Sequence, residues 1–330
     1  MGIVTTNFFR SNQLESQHQI KIALTNINGK NIFTSGNDKD YIYPRSSIKI
    51  FQAIPFVQSN AIEHFNLNNK SIALACSSHR GENYHIKELQ NWMQKTKIKK
   101  KDLKCGIHNP LNVKATEKLL RLNDFASVLH NNCCGKHLAM ISSCLMNDHK
   151  VSEYLTFNHP HQVKIRNIFE KFSNVKIKKK NFGIDGCSAP QYSFRIVDIT
   201  RMLINLIKSY KGNFDYMHEV KTLINSVISN PKYIGGTDSL DSNIMMIAKK
   251  KIFCKGGAEG VLLFIDLEKD YVGVIKVSDG NERAIPPIVY NLFKKYKLFN
   301  TDQLREFKKK YAFDLINHAK IKVGSIRTKL

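Results

Sequence analysis

A serine and a lysine three residues apart, Ser46 and Lys49, are the residues of this sequence best suited to chemistry. They follow Pro44, which is typical of a turn leading into a helix, and apolar residues then recur at helical spacing from Ile50 to Val57. Side chains three positions apart on a helix are neighbours. A lysine of lowered pKa can activate such a serine as a nucleophile without histidine. Because the spacing is common, the hypothesis depends on the rest of the sequence.

Composition and charge limit the possible classes of protein. The 330 residues are 42% hydrophobic and 24% charged, as in globular proteins, and carry a net charge of +24. The excess is nearly all lysine, without interleaved aromatic residues or a nucleic-acid-binding motif, so we expect no specific nucleic-acid partner. The seven cysteines are unevenly spaced and do not suggest a disulfide framework. With no secretory signal and no membrane-spanning apolar run, we expect a cytoplasmic protein that binds no membrane.

The hydrophobic pattern predicts strands near both ends of the chain and helices between them. A hairpin is predicted over 19–35, and strands over 251–254, 261–267 and 271–277. Besides the segment at Ser46, helices are predicted over 85–98, 112–122, 136–147, 160–173, 197–209, 216–229, 238–249, 283–296 and 302–310. The economical packing is an α+β fold in which one antiparallel sheet unites both chain ends around an inserted helical lobe. This packing would bring Lys255 near the start of the Ser46 helix.

The sequence contains no internal repeat and no linker long enough to force a domain boundary. We therefore expect a single domain over 1–330. Its β-rich part would comprise about 1–60 and 250–330, and its helical lobe about 61–249.

Three elements occur in the order that serine β-lactamases and penicillin-binding proteins use. Ser46-x-x-Lys49 comes first, then Ser78-His79-Arg80, then Lys255-Gly256-Gly257. The second and third differ from the Ser-Asp-Asn and Lys-Thr-Gly of those enzymes, so the order supports the architecture more than β-lactam chemistry. Two Ser–Lys pairs in one pocket suit amide hydrolysis, because a neutral lysine can take the serine proton and return it to the leaving ammonia.

Cysteines form a second candidate group. Cys133 lies near Lys136 and His137, and Cys187 lies in a glycine-rich turn after Asp185. Thiolate and imidazole are zinc ligands, although this spacing fits no standard zinc motif. Burial as unpaired thiols is the alternative interpretation.

Six motifs in order resemble the asparaginase II family, meaning the thermolabile, rhizobial-type L-asparaginases with a serine-β-lactamase-like fold. The resemblance covers nearly the whole chain. The motifs are Pro44-Arg45-Ser46-Ser47-Ile48-Lys49, Cys76-Ser77-Ser78-His79-Arg80-Gly81-Glu82, His130-Asn131-Asn132-Cys133-Cys134-Gly135-Lys136-His137, Gly186-Cys187-Ser188-Ala189-Pro190, Gly257-Ala258-Glu259-Gly260 and Asp279-Gly280-Asn281-Glu282-Arg283-Ala284.

The resemblance implies an amidohydrolase that converts L-asparagine and water to L-aspartate and ammonia, in a homodimer. Ser46 with Lys49 and Ser78 with Lys255 would be the catalytic pairs. Which serine attacks stays open; we favour Ser46, because it lies at a helix start beside Lys49.

The resemblance also implies a metal and a substrate site. A zinc ion that aids substrate binding would be held by Cys133, Lys136 and Cys187. The substrate-binding residues would be Arg45, His79 and Asp185. Two positions depart from the family: Cys134 replaces the usual serine, and Ser188 the usual glycine, at a turn that favours positive φ.

Three other functions are compatible with these motifs. A β-lactam-recognising or peptidase-like serine acyl transferase would use the same Ser–Lys chemistry. A basic, non-catalytic binding protein would keep only the scaffold. An inactive homologue would have lost reactive residues, and this sequence has lost none of them.

Overall fold

The computed structural model describes residues 2–330, in which strands lie near both chain ends and helices occupy the middle. The strands of this part are Val4–Arg10 (β1), Gln13–Asn26 (β2), Asn31–Ser35 (β3), Tyr41–Ile42 (β4), Phe182–Ile184 (β5), Pro190–Tyr192 (β6), Phe194–Arg195 (β7), Ile252–Gly257 (β8), Val261–Asp266 (β9), Tyr271–Val277 (β10), Asp314–Ile316 (β11) and Lys322–Lys329 (β12). The α-helices are Lys49–Gln52 (α1), Ile54–Gln58 (α2), Ala61–His64 (α3), Asn69–Ala75 (α4), Asn83–Thr96 (α5), Val113–Arg121 (α6), Cys134–Met146 (α7), Pro160–Ser173 (α8), Ile196–Tyr210 (α9), Met217–Ser229 (α10), Leu240–Ala248 (α11), Ile285–Lys295 (α12) and Thr301–Lys310 (α13).

One antiparallel sheet joins the two ends of the chain. Its strand order is β11-β12-β1-β2-β10-β9-β8, and β3 pairs additionally with β2. The long strand β2 joins the two parts of the sheet. Its residue His18 pairs with Thr6 of β1, and its residue Ile22 pairs with Ile275 of β10. The predicted α+β fold, with strands from both ends and a helical lobe inserted between them, is confirmed.

One side of the sheet, β11-β12-β1, holds strands that the hydrophobic pattern does not predict. β1, β11 and β12 are polar or short, and the sequence of β12 is Lys-Val-Gly-Ser-Ile-Arg-Thr-Lys. The pairing of β1 with β12 joins the two ends of the chain, so it depends on a neighbour remote in sequence. Local periodicity therefore gave no signal for them.

The segment that begins at Ser46 is helical but interrupted. A 3-10 turn covers Arg45–Ile48, α1 follows, and α2 begins at Ile54 with Pro55 in its first turn. Proline lacks an N–H group and cannot continue the hydrogen bonding of α1. The prediction of a helix start at this point is confirmed, whereas a continuous helix to Val57 is wrong.

Buried apolar residues run without a break from the sheet into the helical lobe. All six residues of β9 are buried, as in a strand covered on both faces. On one side Phe264 of β9 meets Phe293 of α12, with ring centroids 5.0 Å apart. Helix α9 packs against β2 and β10. Within residues 2–330, no helix combines the length and apolar character needed to span a bilayer.

The end of β8 lies directly against the 3-10 turn that carries Ser46. A β-carbon at Gly257 would collide with the carbonyl oxygen of Pro44 and would lie 3.1 Å from the backbone nitrogen of Ser47. Glycine is therefore required for this close approach. The contact brings Lys255, two residues earlier on β8, towards the start of the Ser46 segment, as the sequence predicts.

Candidate active site

The hydroxyl of Ser78 lies between two lysine amines. Its Oγ is 3.1 Å from Nζ of Lys49 and 3.1 Å from Nζ of Lys255. Lys49 comes from α1, Ser78 from the loop after α4, and Lys255 from β8. Three segments distant in sequence thus converge on one oxygen atom.

Both amines are removed from solvent. Lys49 is 0% exposed and Lys255 is 2% exposed. The Lys49 amine also donates to the backbone carbonyl of Ser77. Burial lowers the pKa of Lys49, and the charges of Lys136 and Lys255 lower it further, while Cys133 and Cys187 act in the opposite direction. A lysine in this environment can supply a neutral amine as a base.

Asp241 anchors the second lysine. Its Oδ2 accepts a hydrogen bond from Lys255 Nζ at 3.1 Å and another from the Gly256 N–H at 3.0 Å. Burial raises the pKa of Asp241, but the Lys255 charge and the hydroxyl of Ser239 outweigh that effect, so the pKa is lowered from its usual value. The carboxylate therefore balances the Lys255 charge and fixes the direction of its side chain.

Ser46 and Ser47 have different roles. The hydroxyl of Ser47 is buried and donates to the Pro44 carbonyl at 2.6 Å, so it is engaged structurally. Ser46 instead lines a cavity of about 370 Å³ together with Ser78, Lys255 and residues from the loop after β8. No hydrogen bond joins the side chains of Ser46 and Lys49 in the part of the chain that the structure describes; the lysine is directed to Ser78.

Cys133, Lys136 and Cys187 form the second cluster. Lys136 Nζ donates to Cys187 Sγ at 3.0 Å, and the Cys133 thiol lies beside the same sulfur. The Cys133 thiol lowers the pKa of Cys187, burial raises it, and the Lys136 charge lowers it again; the resulting pKa is about 5. Burial lowers the pKa of Lys136, but the neighbouring thiols and Asp185 outweigh it and raise the pKa.

This donor set fits a zinc ion. Two sulfur atoms and one amine converge, and sulfur is a preferred zinc donor. Within residues 2–330, no group of three His, Cys, Asp or Glu side chains is arranged to hold a metal. A metal at this cluster therefore depends on the Lys136 amine as the third ligand, and that amine must lose its proton to bind.

Two of the three residues predicted to bind substrate, Arg45 and Asp185, adjoin this second cluster, and the third, His79, is buried. Arg45 and Asp185 form an ion pair, with Nη2 and Oδ1 2.8 Å apart. Burial raises the pKa of Asp185, but Lys136 and Arg45 more than compensate, so it is lowered. His79 is 0% exposed, and its Nδ1 accepts a hydrogen bond from the Gly81 N–H at 3.2 Å. Burial lowers the pKa of His79 well below its usual value, so it is neutral.

The two departures from the family pattern have clear local explanations. Ser188 has φ +66°, so this position adopts the left-handed conformation that favours glycine. Cys134 is fully buried on α7, and its thiol interacts with that of Cys105.

The structure therefore places the four predicted catalytic residues together, and the three predicted metal ligands in a separate cluster. The pairing differs from the expected one, because Ser78 is shared by both lysines. Reasoning from the sequence missed Asp241, Arg80 and Glu282, which also line the cavity. The signals for these three residues were weak. Asp241 and Glu282 lie in or beside predicted helices, and Arg80 follows Ser78 by two positions.

Serines beside buried lysines in one cavity are the arrangement of the serine hydrolases that use lysine in place of histidine. A family model described as L-asparaginase II matches residues 6–328. The chain belongs to the L-asparaginase II family, which confirms the predicted family and makes an asparaginase-like hydrolase the appropriate class.

No curated protein matches the chain. Among solved structures, the chain is similar to that of a presumed β-lactamase from Bacteroides dorei DSM 17855, with 10% sequence identity and a TM-score of 0.37. The alignment covers 89% of this chain and 92% of the other.

The buried ion pair leads to a stability prediction. Asp241→Ala leaves the Lys255 charge buried without its partner, which should lower the free energy of unfolding by about 3–5 kcal/mol. The double variant Asp241→Asn/Lys255→Met should recover part of that loss, because it removes both charges. Urea denaturation measures both effects.

Asp302→Ala is the matched control, since its partner Arg305 is 3.3 Å away on the surface of α13. It should change stability by less than about 1 kcal/mol. Equal effects of the two single variants would show that Asp241 does not compensate a buried charge.

Proposed function

We propose that the protein is an L-asparaginase that hydrolyses L-asparagine to L-aspartate and ammonia through an acyl-enzyme on serine. Membership of the family supports this substrate. The observation that carries the proposal is the Ser78 hydroxyl, 3.1 Å from both Lys49 and Lys255, in a cavity that Ser46 also lines.

In this proposal Ser46 is the nucleophile. Of the two adjacent serines, Ser46 alone faces the cavity, because the Ser47 hydroxyl is bonded to Pro44. Its oxygen attacks the side-chain amide carbon of asparagine, and its proton passes through the Ser78 hydroxyl to the neutral amine of Lys49, which is hydrogen-bonded to Ser78. The N–H of Ser47 donates to the Pro44 carbonyl and that of Lys49 to the Ser46 carbonyl. The N–H of Ser46 itself, at the start of the helical segment, therefore suits a developing oxyanion.

Ser78 relays the proton to the leaving group. Its hydroxyl bridges the two lysines, so it can give its proton to the departing nitrogen and take one from Lys49. The carbon–nitrogen bond then breaks, ammonia leaves, and a β-aspartyl ester remains on Ser46. Water attacks the ester by the same path in reverse, which releases aspartate and restores the serine.

A zinc ion would be held by Cys133, Lys136 and Cys187. Bound there, it would supply a fixed positive charge near the substrate. Asp185 and Arg45, which adjoin this cluster, would orient groups around it; the catalytic proton transfers belong to the serines and Lys49.

The first prediction concerns the nucleophile. Ser46→Ala should lose ammonia release from L-asparagine by about 10³-fold or more, because the attacking oxygen is removed. Ser78→Ala should lose about 10²–10⁴-fold, because proton transfer is impaired. Coupled detection of ammonia, with L-glutamine as a second substrate, measures both.

The two serines are separated by a covalent probe. A diazoketone analogue of asparagine should label Ser46 in the wild type and in Ser78→Ala, as located by peptide mass spectrometry. Ser59→Ala, a serine bonded to the Phe56 carbonyl outside the cavity, should have normal activity. Labelling of Ser78 and full activity of Ser46→Ala would make Ser78 the nucleophile.

The second prediction concerns pH. The base must be neutral, and Lys49 loses its proton at lower pH than an ordinary lysine because its pKa is lowered. The rate kcat should therefore rise with pH as Lys49 is deprotonated, with the midpoint below the usual lysine pKa. Lys49→Arg should be inactive across the whole range, since arginine stays protonated. An unchanged profile in Lys49→Arg would remove Lys49 from the role of base.

The third prediction concerns the metal. Protein purified without added metal should contain about one zinc per chain, and Cys133→Ala or Cys187→Ala should lose it. Cys144→Ala, another buried thiol, is the control and should keep the metal. Elemental analysis measures the content. Metal-free protein of full activity would show that these cysteines serve packing.

A further inference from the structure

Three charged side chains line the catalytic cavity without a hydrogen-bonded or ion-paired partner within residues 2–330: Arg80, Asp238 and Glu282. Arg80 and Glu282 both line it with Ser46 and Ser78. Neither the guanidinium of Arg80 nor the carboxylate of Glu282 forms a hydrogen bond or ion pair with any group in residues 2–330. Arg80 is half-buried and Glu282 is exposed, whereas the buried charges of the cavity, Lys255 and Asp241, are paired with each other.

The segment that carries Arg80 is held firmly in place. Gly81 has φ +71°, and a β-carbon there would lie 2.9 Å from Pro110 Cβ. The Arg80 carbonyl accepts a hydrogen bond from the Asn112 N–H at 3.0 Å. Glu82 accepts one from the Thr237 N–H at 2.8 Å. The arginine, two residues after Ser78, is thus presented from a fixed backbone.

Glu282 reaches the cavity from another part of the fold. It lies in the 3-10 turn between β10 and α12. The side chain of Asn281 caps this turn by accepting a hydrogen bond from the Arg283 N–H. Glu282 is exposed as a residue, but partial desolvation of its carboxyl group raises its pKa, while Arg80 and Lys255 act to lower it. A cation placed beside this carboxylate would relieve the cost of its reduced hydration.

Arg45 and Asp185, which the sequence predicts to bind the substrate, are not available as unpaired charges. Arg45 and Asp185 neutralise each other at 2.8 Å and line a different cavity, of about 550 Å³, with Tyr43 and Lys276. A cation and an anion that lack other partners can bind the two charges of a zwitterion. In the cavity of the two serines, Arg80 and Glu282 meet that condition, and Glu282, unlike the equally unpaired Asp238, lies within reach of the Lys255 charge.

We propose that Arg80 binds the α-carboxylate and Glu282 the α-ammonium group of an amino-acid amide, with the side-chain amide at Ser46. The planar guanidinium suits a carboxylate, which it can bind through two hydrogen bonds. In asparagine one methylene separates the α-carbon from the amide carbon, so both charged groups lie close to the reacting atom. This assignment rests on the proposed amide hydrolysis and specifies the substrate as a zwitterion.

Three amides test the two contacts separately. L-asparagine carries both charged groups, 3-aminopropanamide lacks the α-carboxylate, and succinamate lacks the α-amino group. Arg80→Gln should lower kcat/KM for asparagine and succinamate by about 10- to 100-fold and leave 3-aminopropanamide unchanged. Glu282→Gln should lower it equally for asparagine and 3-aminopropanamide, and leave succinamate unchanged.

Two matched variants control for general effects of charge. Lys87→Gln removes an exposed cation from α5 and should change none of the three rates. Asp238→Asn removes the exposed carboxylate at the same cavity and should leave the ratios between the amides unchanged. Equal losses on all three amides, no loss, or an amine-specific loss in Asp238→Asn in place of Glu282→Gln would overturn the assignment.

Binding of the product separates this assignment from the proposed reaction. Calorimetry should show that L-aspartate binds the wild type and binds both Arg80→Gln and Glu282→Gln about 10-fold or more weakly. If aspartate binds in this pattern but no amide is hydrolysed, the proposed function fails and the recognition site stands. If aspartate does not bind the wild type, or binds all variants equally, the recognition site fails.

Discussion

The site depends on the burial of two lysine amines against one serine hydroxyl. A buried ammonium group is costly unless it has partners, and two of them close together repel each other. The protein meets this constraint asymmetrically. Lys255 has the carboxylate of Asp241, whereas Lys49 has only hydroxyl and carbonyl oxygens and a lowered pKa. One lysine is thereby suited to hold charge and the other to exchange a proton.

The sheet that unites the chain ends makes this arrangement possible. Lys49 lies early in the sequence and Lys255 late, and they meet because β8 packs against the turn at Ser46. The helical lobe contributes Ser78 from the loop after α4 and Asp241 from α11. Each catalytic group therefore rests on a different element, and the rigidity of the site follows from the packing of all of them.

The cluster of Cys133, Lys136 and Cys187 also contains a buried lysine, whose charge is stabilised by its neighbours. Lys136 is buried like Lys49, but it faces thiols and Asp185, so its pKa is raised where that of Lys49 is lowered. The same residue type thus acquires opposite properties a short distance apart. Neither result could be inferred from the positions of Lys49 and Lys136 in their motifs, because both depend on neighbours from remote segments.

The amino-acid sequence was enough to predict the family, the α+β architecture, nearly all the helices and which residues form the Ser–Lys and Cys–Lys groups. These follow from local periodicity and from motifs whose residues are adjacent in the chain. The sequence alone could not show that Ser78 is shared by two lysines, that Asp241 balances Lys255, or that Arg80 and Glu282 lack partners. Partnership and burial are properties of groups brought together from distant segments, and no local pattern in the sequence records them.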